Sequence, residues 1–267
     1  MAYQDIRFAI DDGVALITLH RPEQRNAFSG LMGAELGAAY AECDRNDDVR
    51  AVVVPGSGDA FCAGADLGGG EQTFERQDES SFSAAGVEPP AFAIRKPVIA
   101  AVNGHAVGIG LTLAMQCDVR LFALEGKYGF LHVRRGVIPD AYSHWTVPRA
   151  IGFARTADLF LTGRTFRGEE AERLGIASRA LPAAALLPAA LEIARDIAVN
   201  AAPLSVALCK RLLWEGQALS CEEVGRRETA LHHVVMGEAD ALEGVMAFLE
   251  RRAPRWQLRV SRDWPTG

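Results

Sequence analysis

Three features of the sequence predict an α/β fold. Residues 51–54 and 98–102 are short, continuous apolar runs, the pattern of strands buried on both faces of a sheet, and 119–123 reads as a third buried strand interrupted only by Arg120. Helical patterns precede the first run (29–43) and follow the second (110–116), and such strand–helix–strand alternation argues for parallel pairing. The length, 267 residues, suits one α/β unit with a sizeable core.

The elements follow in order. Residues 6–11 and 14–19 read as two strands with a turn at Asp12-Gly13. Arg21-Pro22 breaks the second strand, and 22–28 form a loop. Ser29 is the expected N-cap of a helix reaching Cys43, with Leu31, Met32, Leu36 and Tyr40 at helical spacing. A glycine-rich loop, 56–64, follows the strand at 51–54. Residues 68–90 are polar, rich in Gly, Ser and Glu, and read as a mobile surface segment. Residues 104–110 turn into the helix at 110–116. Beyond residue 141 the pattern is helical: 141–150, 153–161, 168–174, 186–200, 203–214, 221–236 and 239–251, with one strand at 177–181. The expected division is a core of residues 1–200 and a helical region of 201–267. Apolar stripes in that region (Leu231, Val234, Val235; Leu242, Val245, Met246, Leu249) either fold back on the core or pack on another subunit.

Composition excludes several classes. Hydrophobic residues are 49% and charged residues 23%, ordinary for a globular chain. A net charge of −6 argues against nucleic acid as the main partner. No apolar run approaches the ~20 residues that span a bilayer, so no membrane partner is expected. The start, MAYQDIRFAIDDG, lacks the basic flank and apolar stretch of a signal peptide. Five scattered cysteines, an odd number, read as reduced thiols of a cytoplasmic protein. No Cys/His set has zinc-site spacing, and adjacent His232 and His233 point apart on a helix, so no metal is expected.

Two segments stand out. AFCAGADL (60–67) and KPVIAAVNGHAVGIGLTLAMQCDVRL (96–121) each leave a strand and run through glycines into a short helix. Glycine lets a backbone approach a ligand closely, and free N–H groups at a helix start favour negative charge. Two such N–H groups converging on one point make an oxyanion hole. The alternative is that these glycines only make tight turns. A dinucleotide fingerprint fails, because Gly104, Gly108 and Gly110 read G-x-x-x-G-x-G. A P-loop fails for want of G-K-[ST].

Together the two segments resemble the crotonase family of enoyl-CoA hydratases, isomerases and related acyl-CoA enzymes. HRPEQRNAF (20–28), LTGRTFRGEEAERLGIASRAL (161–181) and EGVMAFLERRAPRW (243–256) extend the resemblance over nearly the whole chain. It implies a spiral of ββα turns with a helical C-terminal oligomerisation region, assembled as trimers or hexamers. It implies an acyl-CoA substrate whose thioester oxygen is held by the N–H groups of Ala65 and Ile109, with Gly64, Gly108 and Gly110 keeping the approach open. CoA arrives with the substrate, and no further cofactor is implied. Arg25, Ala27, Phe28, Asp66 and Leu67 would meet the CoA arm. Arg251 and Arg252 would reach its phosphates, or form a solvated basic face.

The carboxylates set the chemistry. The family's hydratases carry two glutamates, at positions where this chain has Thr112 and His132. Thr112 is no base near neutral pH, which leaves it to line the acyl pocket, and His132 lacks a paired carboxylate in the expected place. Ordinary hydration is therefore not expected. Asp140, after Pro139, matches the single carboxylate that moves the proton in the family's Δ3,Δ2-enoyl-CoA isomerases. Val137, Ile138 and Trp145 are the expected apolar surroundings of Asp140. Its other reading is an N-cap for a helix at Ala141. His132 is a proton shuttle or a satisfied core histidine. His105 contacts substrate or packs its loop. Ser143-His144 diverge on one helix and make no triad, and Cys62 and Cys117 are core residues. Four functions remain: an isomerase using Asp140, a hydratase using His132, a hydrolase using both, and a silent acyl-CoA binding protein. The isomerase is favoured.

Overall fold

The computed structural model describes residues 3–75 and 83–265. Strands β1 (Ile6–Asp11) and β2 (Val14–Leu19) form an antiparallel hairpin in the register Ile6↔Leu19. Its turn residues, Asp12 and Gly13, both have positive φ (45° and 80°), as a two-residue hairpin turn requires. Helix α1 (Gly30–Arg45) is capped by Ser29, whose hydroxyl accepts from the Met32 N–H at 3.0 Å.

From there the chain repeatedly lays one strand in each of two sheets. Strand β3 (Ala51–Pro55) is followed by β4 (Ala60–Cys62). Strand β5 (Val98–Val102) is followed by β6 (His105–Val107) and helix α2 (Ile109–Ala114). Strand β7 (Val119–Ala123) is followed by β8 (Tyr128–Gly129). The larger sheet runs β1-β2-β3-β5-β7-β9, with β9 being Arg179–Leu181, and is parallel after the hairpin. The smaller sheet, β4-β6-β8, is parallel throughout. This is the spiral that the resemblance implies.

Every residue of β3 and β5 is buried, because both faces of the larger sheet are covered. Helix α6 (Ala183–Asn200) lies on one face, and Leu186, Ala190 and Ala194, one helical turn apart, meet Val53, Ile99 and Leu121. The two alanines let the helix approach closely. Val52, Val54 and Val98 belong instead to the core cluster of the other face, with Met32 and Leu36 of α1. Helices α3 (Ser143–Ile151), α4 (Phe153–Thr162) and α5 (Gly168–Leu174) lead to β9. After α6 come α7 (Pro203–Glu215), α8 (Cys221–Val235), α9 (Ala239–Glu250) and α10 (Val260–Asp263). The buried Lys210 anchors α7: its ammonium donates to the carbonyls of Ala91 and Lys96 and pairs with Asp118, each at 2.8 Å. Leu242, Phe248 and Leu249 on α9 remain exposed. Among the described residues no single helix is long and apolar enough to cross a membrane.

The long elements match the expectations closely. The strands β4, β6 and β8 differ: they fall where glycine-rich or loop sequence was read, and three residues or fewer are too short to show alternation. The segment expected to be mobile is partly placed. Gly70–Phe74 forms a 3-10 turn, and Val87 is only 2% exposed, so the end of that segment belongs to the core. Residues 76–82 of it lie outside the described residues.

Candidate active site

The smaller sheet explains how three turns reach one place. Ala60 and Cys62 of β4 register with His105 and Ala106 of β6, and Ala106 registers with Tyr128 of β8. Parallel strands share a direction, so their exits share an edge. Ala65 stands shortly after Cys62, Ile109 after Ala106, and His132 after Tyr128. Gly64 (φ 97°) and Gly108 (φ 55°) take conformations that other residues rarely adopt. A Cβ on Gly108 would lie 3.8 Å from the Gly64 Cα and 3.9 Å from His132 Nε2, so the turns nearly touch. Among the described residues the N–H groups of Ala65 and Ile109 have no acceptor. Ile109 opens α2, where an N–H has no partner within the helix. Both residues border a cavity of about 130 Å³. Leu67, Phe74 and Val137 give it an apolar wall, and His132, Arg135 and Asp140 are its titratable side chains.

Asp140 reaches the cavity because of the two residues after it. Ala141 (φ 49°) and Tyr142 (φ 61°) are both left-handed, a strained state for residues with a Cβ. The buried Ala141 is held there by its N–H, which donates to Ala84 O at 2.7 Å, and by its carbonyl, which accepts from Gln116 Nε2 at 3.1 Å. Helix α3 therefore starts at Ser143 rather than at 141, with the Ser143 N–H donating to Asp140 O at 2.9 Å. Asp140 is not the N-cap. Its carboxylate turns inward: Thr112 Oγ1 donates to Oδ1 at 2.7 Å, and His132 Nε2 lies 3.4 Å from the same oxygen. Oδ2 accepts no hydrogen bond among the described residues. The His132 contact is long and poorly aligned, and neither ring nitrogen has a hydrogen-bond partner among the described residues although the residue is only 6% exposed.

Two free backbone donors and a carboxylate thus face one small cavity on a two-sheet spiral. A family model described as enoyl-CoA hydratase/isomerase matches residues 9–259. The chain belongs to the enoyl-CoA hydratase/isomerase family. The crystal structure of a probable enoyl-CoA hydratase/isomerase from Mycobacterium abscessus is similar at a TM-score of 0.92 and 50% identity, covering 94% of this chain and 98% of that one. The enoyl-CoA hydratase ACTT3 of Alternaria alternata is 38% identical over 250 residues, 92% of this chain and 83% of the relative. The probable enoyl-CoA hydratase echA8 of Mycobacterium tuberculosis is 37% identical over 260 residues, 97% of this chain and all of the relative.

Within this hydratase/isomerase frame several expected placements change. Thr112 does not border the cavity; it is wholly buried and bonded to Asp140. His132 does have a carboxylate beside it, brought by chain folding rather than by local spacing. Gly110 does not border the cavity: a Cβ there would lie 2.9 Å from Cys62 Sγ, so its role is to seat α2 on β4. Ile138 is 76% exposed and Trp145 stacks on Trp214, which leaves Val137 alone of the expected apolar surroundings.

The first loop braces the first donor. The Phe28 N–H donates to Gly64 O at 2.8 Å, and the Asp66 N–H donates to Phe28 O at 3.0 Å, fixing Ala65 between them. Arg25 is exposed, and its carbonyl accepts from the Ala63 N–H; Ala27 is half-buried. Asp66 pairs with Arg21 at 2.8 Å, and that hydrogen-bonded guanidinium holds its carboxyl below the usual range. Of the five residues expected along CoA, only Leu67 borders the cavity itself. His105 packs its loop, its Nδ1 accepting from the Lys127 N–H at 3.0 Å. Arg252 is engaged by Glu243 and Glu250. Cys62 and Cys117 are core residues, and burial pushes both thiols up to about 12. Among the described residues no cluster of His, Cys, Asp and Glu is placed to hold a metal. Arg135 was not foreseen. The signal was there, three residues after His132 on the tight turn Leu131–Arg135.

Proposed function

We propose that the chain acts on enoyl-CoA esters and shifts a double bond from the 3,4 to the 2,3 position, with Asp140 as the base. One observation carries this reading: Oδ1 of Asp140 is held by Thr112 and Oδ2 is free among the described residues, and Asp140 borders the same cavity as Ala65 and Ile109, whose N–H groups have no acceptor there. The N–H groups of Ala65 and Ile109 receive the thioester oxygen and stabilise the dienolate formed when a C2 proton leaves. Asp140 takes that proton on Oδ2 and returns it at C4. Thr112 has one hydroxyl proton and two acceptors, Asp140 Oδ1 at 2.7 Å and Ile109 O at 3.1 Å. It favours the carboxylate while Asp140 is charged and is free to turn to Ile109 when Asp140 is protonated. Arg25, Ala27, Phe28, Asp66 and Leu67 flank Ala65 and form the proposed path for the CoA arm. The exposed Leu242, Phe248 and Leu249 fit the trimer or hexamer that the resemblance implies.

A second reading is hydration. The 3.4 Å approach of His132 to Asp140 favours it, since a carboxylate beside an imidazole supports general-base activation of water, and relatives bear the name hydratase. One assay separates the two. The protein is incubated with paired 3-enoyl-CoA and trans-2-enoyl-CoA esters and followed by absorbance and mass. Conversion of the 3-enoyl ester at constant mass, lost in Asp140→Asn while ester binding persists, supports the isomerase. Gain of one water on the 2-enoyl ester overturns it in favour of the hydratase.

A further inference from the structure

Among the described residues Arg135 is the one cationic side chain of the Arg/Lys type at the cavity, and neither the fold nor either proposed reaction uses it. It stands three residues after His132 on a 3-10 turn, where side chains at that spacing eclipse and leave on the same side. Both border the cavity. Its only hydrogen bond among the described residues is from Nη1 to the carbonyl of Arg134 at 3.2 Å. Arg134, by contrast, serves the structure: its Nε donates to Thr162 O at 2.9 Å, and its stem packs at Gly163. The cation at Arg135 gains nothing from an alkyl chain lying on Leu67, Phe74 and Val137.

We propose that Arg135 binds a carboxylate on the acyl part of the substrate, so that the preferred class is a dicarboxylic acid monothioester of CoA. The proposal rests on the reading of the cavity as an acyl-CoA site. A guanidinium fork matches a carboxylate in two parallel hydrogen bonds. It also offsets the repulsion that Asp140 would exert on an anionic chain end. The phosphates of CoA are the other anions in such a ligand. With the thioester held at Ala65 and Ile109, the whole neutral pantetheine arm separates those phosphates from Arg135.

The test compares hexanoyl-CoA with adipyl-CoA, its counterpart ending in a carboxylate. Neither is an enoyl ester, so calorimetry on the full chain reads binding without turnover. Adipyl-CoA is expected to bind at least about fivefold more tightly at low salt, with the preference shrinking as salt rises. Arg135→Leu should bring the ratio to about one, and Arg135→Lys should keep part of it. Equal binding by the wild type overturns the proposal and leaves the acyl-CoA reading standing. So does a ratio unchanged in Arg135→Leu. An equal loss for both esters and for free CoA in that variant would show that the guanidinium meets phosphate instead. If neither ester binds, the acyl-CoA reading fails and the proposal falls with it.

Discussion

Thr112 and Asp140, 28 residues apart in the chain, are joined by a 2.7 Å hydrogen bond at the cavity wall. Thr112 sits on α2, the helix opened by Ile109, so the bond ties the second backbone donor to the base. The expectation that a non-carboxylate at position 112 merely lines a pocket missed this. A hydroxyl there is a poor base but a good holder of one.

Thr112→Val should therefore impair turnover without abolishing it. Hydrogen bonds to charged groups are worth ~1.5–3 kcal/mol, so kcat should fall about 10- to 100-fold. Thr112→Ser should recover most of the loss. Steady-state kinetics on the 3-enoyl ester decides; a valine variant with wild-type kcat would remove Thr112 from the positioning of the base.

Gly108 has φ 55° and ψ −131°, a conformation closed to residues with a Cβ. Gly108→Ala must shift the backbone that presents the Ile109 N–H. Loss of one such donor costs ~10²–10³ in rate, and a loss of that order is expected in kcat. Gly136, also left-handed (φ 77°) but with open space where a Cβ would go, is the control. Gly136→Ala should show the milder effect when both are assayed side by side.

The cysteines should separate by reactivity. Cys209 and Cys221 are exposed, while Cys43, Cys62 and Cys117 are buried with thiols pushed up to about 12 by desolvation. The thiolate is the reactive form. A thiol reagent at mildly alkaline pH should label the two exposed residues rapidly and the other three only after denaturant is added. Peptide mapping after a short pulse tests this, and early labelling of Cys62 would contradict its place behind Gly110.

Asp44 supports the docking of the chain's end. Its carboxylate pairs with Arg95 at 2.7 Å, and Arg95 Nη1 donates to Val260 O at 3.1 Å. Burial alone would raise the Asp44 pKa, but the hydrogen bonds and charge of Arg95 outweigh it and hold the group below the usual range. A depressed folded pKa means stability that is present above the unfolded value of ~3.9 and lost as pH falls through the folded one. Asp44→Asn should cost about 1–2 kcal/mol at neutral pH. The gap from wild type should close below about pH 4 in denaturant titrations. A gap that stays constant across that range would argue against the ion pair.

Much of the fold was legible because burial leaves a local mark. Residues 51–54 and 98–102 read as strands from their apolar runs alone, 119–123 reads as one despite Arg120, and all three were found in the larger sheet. Ser29 capped its helix as its hydroxyl predicts. The small sheet left no such mark, since its pairing partners lie far apart in sequence and each strand is too short for a periodic pattern. The candidate site divides the same way. Gly64 and Gly108 announced two tight turns, but the placement of Asp140 depended on the left-handed pair Ala141–Tyr142. Such a pair has no sequence signature, because Ala and Tyr hold that state only under tertiary restraint from Ala84 and Gln116.

By itself the sequence determined the α/β class, the order of the long elements, the two glycine turns and the identity of the residues available for proton transfer. These follow from side-chain chemistry and from spacing within one element. Only the tertiary structure decided that Thr112 holds Asp140, that His132 stands at 3.4 Å from the same oxygen, and that Arg135 opens on the same cavity. Those relations arise where the ends of parallel strands meet at one sheet edge, and a contact between turns from separate strands is fixed by packing rather than by the residues on either side of it.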